Sequence, residues 1–400
     1  MSDPVAAERG NPAGSAGGRS PSQAPSHVLA ATAAVALALI ALPWLLGPFG
    51  NAWVRGLCFA ALYVMLALGL NIVVGFAGLL DLGYIAFYAV GAYTYALLAS
   101  PHLTEHFPAL AHAFPGGLHV SIWIALPIGA SLAAAFGILL GAPVLKLRGD
   151  YLAIVTLGFG EIIRIFLNNL NAPLNFTNGP SGITLIDPVR IGSLDLAHPG
   201  SVLGFRPSSL ILYYYLLVGM ALLAILVCIR LQDSRLGRAW MAIREDEVAA
   251  RAMGINVRNV KLLAFSLGAT FGGVAGGLFS AFQGFVSPES FSLMESIVVL
   301  SMVVLGGLGH VPGVVLGAVM LAMLPEALRH TAVPLQEAVF GRVLIDAEVL
   351  RMLLYGMATV GIMLYRPRGL WPAPEHGARR TLGLLRAARP AVAPSGSRDG

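Results

Sequence analysis

Only two lysines occur in the chain, Lys146 and Lys261, and neither follows a glycine or precedes Ser or Thr. A phosphate-cradling loop ending in Gly-Lys-Ser/Thr is therefore absent, which excludes an ATPase of that type. Nucleophilic catalysis has one superficial candidate, Gly179-Pro180-Ser181-Gly182, which looks like the Gly-x-Ser element of intramembrane serine proteases, with His310 in an apolar region. The context fails. Ser181 follows Asn168, Asn169, Asn171, Asn175 and Asn178 in a hydrophilic loop, not in a membrane helix. Glu161 and Arg164 stand at i, i+3 about midway along an apolar run, where each can neutralise the other. Two readings stay open for this pair: structural pairing inside a bundle, or a place in a solute path. Cys58 and Cys228 lie in apolar segments as small hydrophobes, so neither a disulfide framework nor a metal site is expected.

The elements that must position these groups are membrane helices. With 57% hydrophobic and 11% charged residues and a mean hydropathy of +0.77, the chain departs from soluble proteins, where charge runs near 25%. The composition predicts an all-α polytopic membrane protein. A net charge of +5 does not imply nucleic acid, because the basic residues are dispersed among loops with no basic face interleaved with aromatics. They read as topology signals.

Ten apolar runs are candidate spans: Val28 to Leu46, Trp53 to Val74, Leu79 to Leu98, Val120 to Leu145, Tyr151 to Leu170, Ile211 to Ile229, Leu262 to Phe285, Ser296 to Leu308, Val311 to Leu324 and Val349 to Leu364. The eighth and ninth are short enough to be half-helices packed inside protein. The first is too long for a signal-peptide core and reads as an uncleaved span. The predicted organisation is a disordered tail over 1–27, a transmembrane domain over 28–366 and a basic tail over 367–400. With both termini in the cytoplasm, Lys146, Arg148, the 230–261 loop and the arginine-rich end all fall inside, as the positive-inside rule requires.

Glycines recur at four-residue spacing, Gly137 with Gly141, Gly268 with Gly272 and Gly276, and Gly313 with Gly317, a pattern that lets helix backbones approach closely. A weak echo between Gly78, Leu82, Gly83 and Gly91 and the glycines of 306–317 hints at an inverted repeat. The run from Gly75 to Tyr93 combines glycines with Phe76, Tyr84, Phe87, Tyr88 and Tyr93. A helix break near Gly75 to Gly78 would expose backbone amides and carbonyls at membrane depth, a way to meet a zwitterionic solute. Asn71, Gly75, Gly78, Asp81, Tyr84, Phe87, Tyr93, Glu161 and Arg164 are the candidate translocation-path residues. Asp81, near the cytoplasmic edge, is expected to be hydrated or to cap the third span.

Residues 230–261 carry seven basic and four acidic side chains. Each charge at a helix centre in lipid costs roughly 2.5–3.5 kcal/mol, so this segment lies in water. Its sequence is helical, lacks proline and stops at Gly254. Trp240, Met241, Ile243, Val248, Met253 and Ile255 are more apolar groups than an isolated surface loop needs, which points to a partner surface.

Ordered signatures now identify a family. GLNIVVGFAGLLDLGYIAFYAVGAY (Gly69 to Tyr93), LRGDYLAIVTLGFGEIIRI (Leu147 to Ile165), SRLGRAWMAIREDEVAARAMGINV (Ser234 to Val257), KLLAFSLGATFGGVAGGLF (Lys261 to Phe279) and GGLGHVPGVVLGA (Gly306 to Ala318) resemble the larger inner-membrane permease of bacterial branched-chain amino acid ABC importers. The resemblance implies a non-enzymatic permease subunit paired with a smaller sister permease. It also implies two cytoplasmic ATP-binding subunits that carry ATP and Mg, a periplasmic binding protein, and no cofactor in this chain. Glu247, Ala249, Ala250 and Gly254 fall on the coupling motif Glu-x-Ala-Ala-x-x-x-Gly, with Arg244, Glu245 and Asp246 beside it. Similar permeases handle urea, short amides or other amino acids, so these stand as alternative cargoes. A secondary transporter or channel working without a motor is the competing class.

Overall fold

The computed structural model describes residues 26–114, 117–145, 147, 149–172, 175–192, 194–198, 208–340, 346–366 and 369–371. Most of the two predicted tails (1–25, 367–368 and 372–400), together with Lys146 and Arg148, lies outside the described residues. Helix α1 (Ser26–Leu46) belongs, up to Leu45, to one compact unit and the chain from Leu46 onward to another.

The second unit contains α2 (Asn51–Leu70), α3 (Ile85–Leu98), α4 (His102–His106), α5 (Pro108–Ala113), α6 (Ile122–Val144), α7 (Asp150–Asn169) and α8 (Ser209–Gln232). It continues through α9 (Arg235–Glu245), α10 (Glu247–Ala252), α11 (Val257–Gln283), α12 (Leu293–Gly306), α13 (Val311–Phe340) and α14 (Ala347–Tyr365). Among the described residues six helical stretches are long and apolar enough to cross a membrane, and α3, α12 and parts of α1 and α14 are shorter apolar helices. The only departure from all-α structure there is a two-residue hairpin, Arg190–Ile191 paired antiparallel with Leu194–Asp195, plus an isolated bridge between Ile183 and Val286.

Helix α11 is the centre of the packing, lying against α2, α3 and α6. Its glycines make that possible. A Cβ on Gly273 would sit 2.7 Å from the Ala133 Cβ and 2.9 Å from the Gly129 carbonyl oxygen of α6. A Cβ on Gly268 would stand 3.0 Å from the Gly69 carbonyl oxygen of α2, and a side chain at Gly276 would overlap the Tyr88 carbonyl of α3. The four-residue glycine pattern is therefore a close-contact surface.

Three elements differ from expectation. Helix α3 starts at Ile85 rather than Leu79, because Gly78 takes a left-handed φ of +69° and the Asp81 Oδ1 accepts the Gly83 amide at 2.9 Å. Helix α13 is no half-helix but runs for 30 residues through Pro325 and Pro334. Pro325 has no N–H to offer the Leu321 carbonyl four residues earlier. The Tyr355 hydroxyl of α14 donates to that carbonyl instead, at 2.5 Å. The third, the helix expected to end at Gly254, breaks at Asp246.

Candidate translocation path and coupling site

Helix α9 begins at Ser234, whose side chain accepts the Gly237 amide at 3.2 Å. The predicted single helix up to Gly254 is interrupted at Asp246, which has an extended φ of −153°. Its carboxylate accepts the Val248 amide at 2.8 Å and the Ala249 amide at 3.0 Å, capping α10. A short carboxylate caps well, and that preference overrides the helical propensity around it. Gly254 takes a φ of +84° with open space around it, the left-handed stop that its type foretold.

The apolar side chains in this loop divide into an inward and an outward group, with Met241 half-buried between them. Trp240 is fully buried and its indole N–H donates to the Val260 carbonyl at 2.7 Å. Ile243, Ala250 and Val257 form a small core against Ile255. Val248 and Met253 face outward at 77% and 83% exposure, beside exposed Glu245 and Ala249. Glu247 is already paired within the chain: Lys261 donates to it at 2.7 Å and Arg251 at 3.0 Å.

The expected helix break is present. After α2 the chain makes a wide π turn over Asn71–Phe76, and residues 77–84 are not helical. Such turns tend to mark functional positions. Asn71 is fully buried and its Oδ1 accepts the Gly309 amide at 2.9 Å, joining this break to the one between α12 and α13. Arg244 reaches in from α9 and donates to the Gly75 carbonyl at 2.5 Å. A cavity of about 330 Å³ lies here, lined by Ala77, Gly78, Leu80, Arg244, Glu247 and Lys261 among others.

Asp81, expected to be hydrated, is 2% exposed. It caps the turn before α3 and not the helix itself, while Thr156 of α7 takes the Leu82 amide at 3.0 Å. Tyr84, Phe87 and Tyr93 are buried side chains of the bundle. Tyr84 donates to the Gly268 carbonyl at 3.0 Å, Phe87 packs edge-on to Tyr84, and the Tyr93 ring meets Phe291. Glu161 and Arg164 do pair, partly buried on α7. Glu289 stands 3.8 Å from Arg164.

Several participants were not legible. Gly309 and Lys261 join their partners across 238 and 14 positions, which no local period encodes. Glu289, and Glu295 accepting the Tyr63 hydroxyl at 2.9 Å, lie in the stretch 286–295 between two candidate spans, where nothing nearby in sequence signals partners on α7 and α2. Ser181 sits exposed in a one-turn 3-10 helix, Gly179–Ser181, whereas the His310 ring engages the Trp371 carbonyl. No cluster of metal ligands occurs among the described residues.

Membrane-length helices around a glycine-packed centre, with two broken segments meeting inside, define a multi-pass, all-α membrane protein of the transporter kind. The family described as "Branched-chain amino acid transport system / permease component" matches residues 52–347, and the chain belongs to it. It is similar to the high-affinity branched-chain amino acid transport system permease protein LivM of Escherichia coli K12, 42% identical over 352 residues, covering 84% of this chain and 74% of that one. A probable branched-chain amino acid transport permease LivM of Methanocaldococcus jannaschii is 25% identical over 335 residues, covering 79% of this chain and 92% of the relative. The permease LivH of Escherichia coli K12 is 25% identical over 278 residues, 68% of this chain and 83% of the relative. No solved structure matches.

Proposed function

We propose that this chain is the LivM-like permease subunit of an ATP-binding-cassette importer that carries leucine, isoleucine and valine across a bacterial inner membrane. The observation that carries the reading is its 42% identity over most of its length to a protein bearing that transport-system name. The likeness to both LivM and LivH supports a sister permease as partner.

The remaining parts follow from what the chain lacks and offers. With no Gly-Lys-Ser/Thr phosphate loop in the sequence, ATP and Mg are held by two cytoplasmic companion subunits. A periplasmic binding protein delivers the solute and sets most of the selectivity. The companions grip α9 and α10 through exposed Val248, Ala249 and Met253, next to Gly254. Closure of their ATP-bound dimer moves these helices and tilts the attached spans between outward and inward openings. No covalent chemistry occurs in this chain. The solute path runs past the Asn71–Tyr84 break, with the polar pair Glu161–Arg164 on α7.

Reconstitution tests this. Proteoliposomes holding the chain, its sister permease, the two ATPases and the binding protein take up labelled leucine only with ATP, and the chain alone gives no flux. Leucine crossing by gradient through the chain alone would contradict the proposal in favour of a secondary transporter. Uptake of urea or short amides in place of leucine would move the cargo to the alternative class.

A further inference from the structure

Three stretches far apart in sequence meet at one point: the π turn after α2, the turn between α12 and α13, and the end of α9. The Arg244 guanidinium donates to the Gly75 carbonyl. The same Nη1 lies 2.8 Å from where a Cβ on Gly309 would stand, and Gly309 in turn donates its amide to Asn71. Gly78 brings its backbone against the Arg244 side chain, with a Cβ there falling 2.9 Å from Cγ.

Each contact is made possible by the lack of a side chain. A Cβ on Gly75 would overlap the Asn71 carboxamide oxygen and stand 2.7 Å from the Gly309 nitrogen. Gly309 and Gly78 also hold φ values of +81° and +69°, which other residues adopt only under strain. Asn71 uses its oxygen on Gly309, while its Nδ2 is buried with no hydrogen-bond partner. A buried donor left unpaired is costly, and a residue in that state fits a joint with a second arrangement in which the donor is satisfied. The 330 Å³ cavity beside Gly78 and Arg244 leaves room for such movement.

We propose that Arg244 is the positioning residue that carries motion of the coupling helices to the interior. It does so by holding the Gly75 carbonyl, so that the breaks at 71–84 and 307–310 travel with α9 as one body. The link is direct: it runs through a charge-assisted hydrogen bond to backbone and does not need tilting of α8 or α11 to reach the path. This inference rests on the importer reading above, since it needs companion ATPases to move α9.

Two measurements on the reconstituted whole importer test it. Arg244→Ala is expected to lower leucine uptake per ATP hydrolysed about tenfold, and to be partly rescued by Arg244→Lys, which keeps a donor. Equal uptake per ATP in Arg244→Ala and the wild type overturns the inference. Should Arg244→Ala fail to insert, spin labels at Arg238 and Leu80 in the otherwise intact protein answer the same question. Their separation is expected to stay constant between the nucleotide-free and ATP-bound states, while labels at Leu80 and Leu222 of α8 change theirs. A changing Arg238–Leu80 separation overturns it. A wild type that shows no ATP-dependent uptake would instead sink the importer reading itself.

Discussion

At the scale of single residues, position in the sequence and role in the structure coincide best where a residue type has one conformational use. Gly254 reads as a helix stop and takes the left-handed φ of +84°. Nothing surrounds it, so Gly254→Trp meets no clash and its cost is the local strain of the left-handed φ at this exposed turn; the variant is expected to leave the protein inserted and to abolish solute-stimulated ATP hydrolysis. Undiminished stimulation would count against docking there. Glu247 shows the opposite case. Its sequence match to the coupling motif does not reveal that Lys261 and Arg251 already hold it, so Glu247→Arg would add a like charge beside both and unsettle α10 itself. Glu161→Gln is expected to lower uptake several-fold at an unchanged protein level, whereas normal uptake at that level removes Glu161 from the path. His102, 6% exposed in the loop between α3 and α6, has its pKa lowered from 6.5 chiefly by burial and then by the neighbouring His106. The folded state therefore prefers the neutral ring. The stability this gives is present above pH 6.5 and is lost as pH falls through that value toward the depressed folded pKa. Hydrogen exchange over 102–113 should quicken between neutral and mildly acidic pH, and a His102→Gln variant should remove the change.

At the scale of elements, periodicity and apolar length located nearly every helix, because lipid forces each backbone to satisfy its own hydrogen bonds. What they missed depends on contacts across the chain. The 77–84 break was foreseen from Gly75 and Gly78, yet the start of α3 at Ile85 depends also on Asp81 and on Thr156 of another helix. The length of α13 was hidden by Pro325, since nothing near it signals that Tyr355, 34 positions from Leu321, takes the freed carbonyl. Tyr355→Phe is expected to cost about 1–3 kcal/mol by leaving that carbonyl unpaired. A lower unfolding temperature in detergent would record it, and an unchanged one would show that α13 needs no such partner. The glycine contacts carry a matching expectation. Gly91→Ala pushes a methyl into the Gly273 backbone, an overpacking that costs about 1–3 kcal/mol, and should reduce the yield of folded protein. An unaffected yield would mean that α3 and α11 are free to separate.

At the scale of the whole molecule, the chain is a machine part with no engine of its own. Its interior is apolar and glycine-packed, its broken segments meet at Asn71, Gly75 and Gly309, and one water-exposed helical pair reaches that junction through Arg244. The sequence told the water-exposed part of this architecture through the density of charge in 230–261. It could not tell which apolar groups of that loop turn inward with Trp240 and which stay outward with Val248 and Met253, because the break at Asp246 resets the helical phase between them. Those outward groups define the decisive measurement: a photoactivatable cross-linker placed at Met253 in membranes of cells that express the complete transport system. The account predicts an adduct with an ATP-binding subunit, formed on the cytoplasmic side. Labelling of Met253 only from the periplasm, or activation that captures no companion subunit, would contradict it.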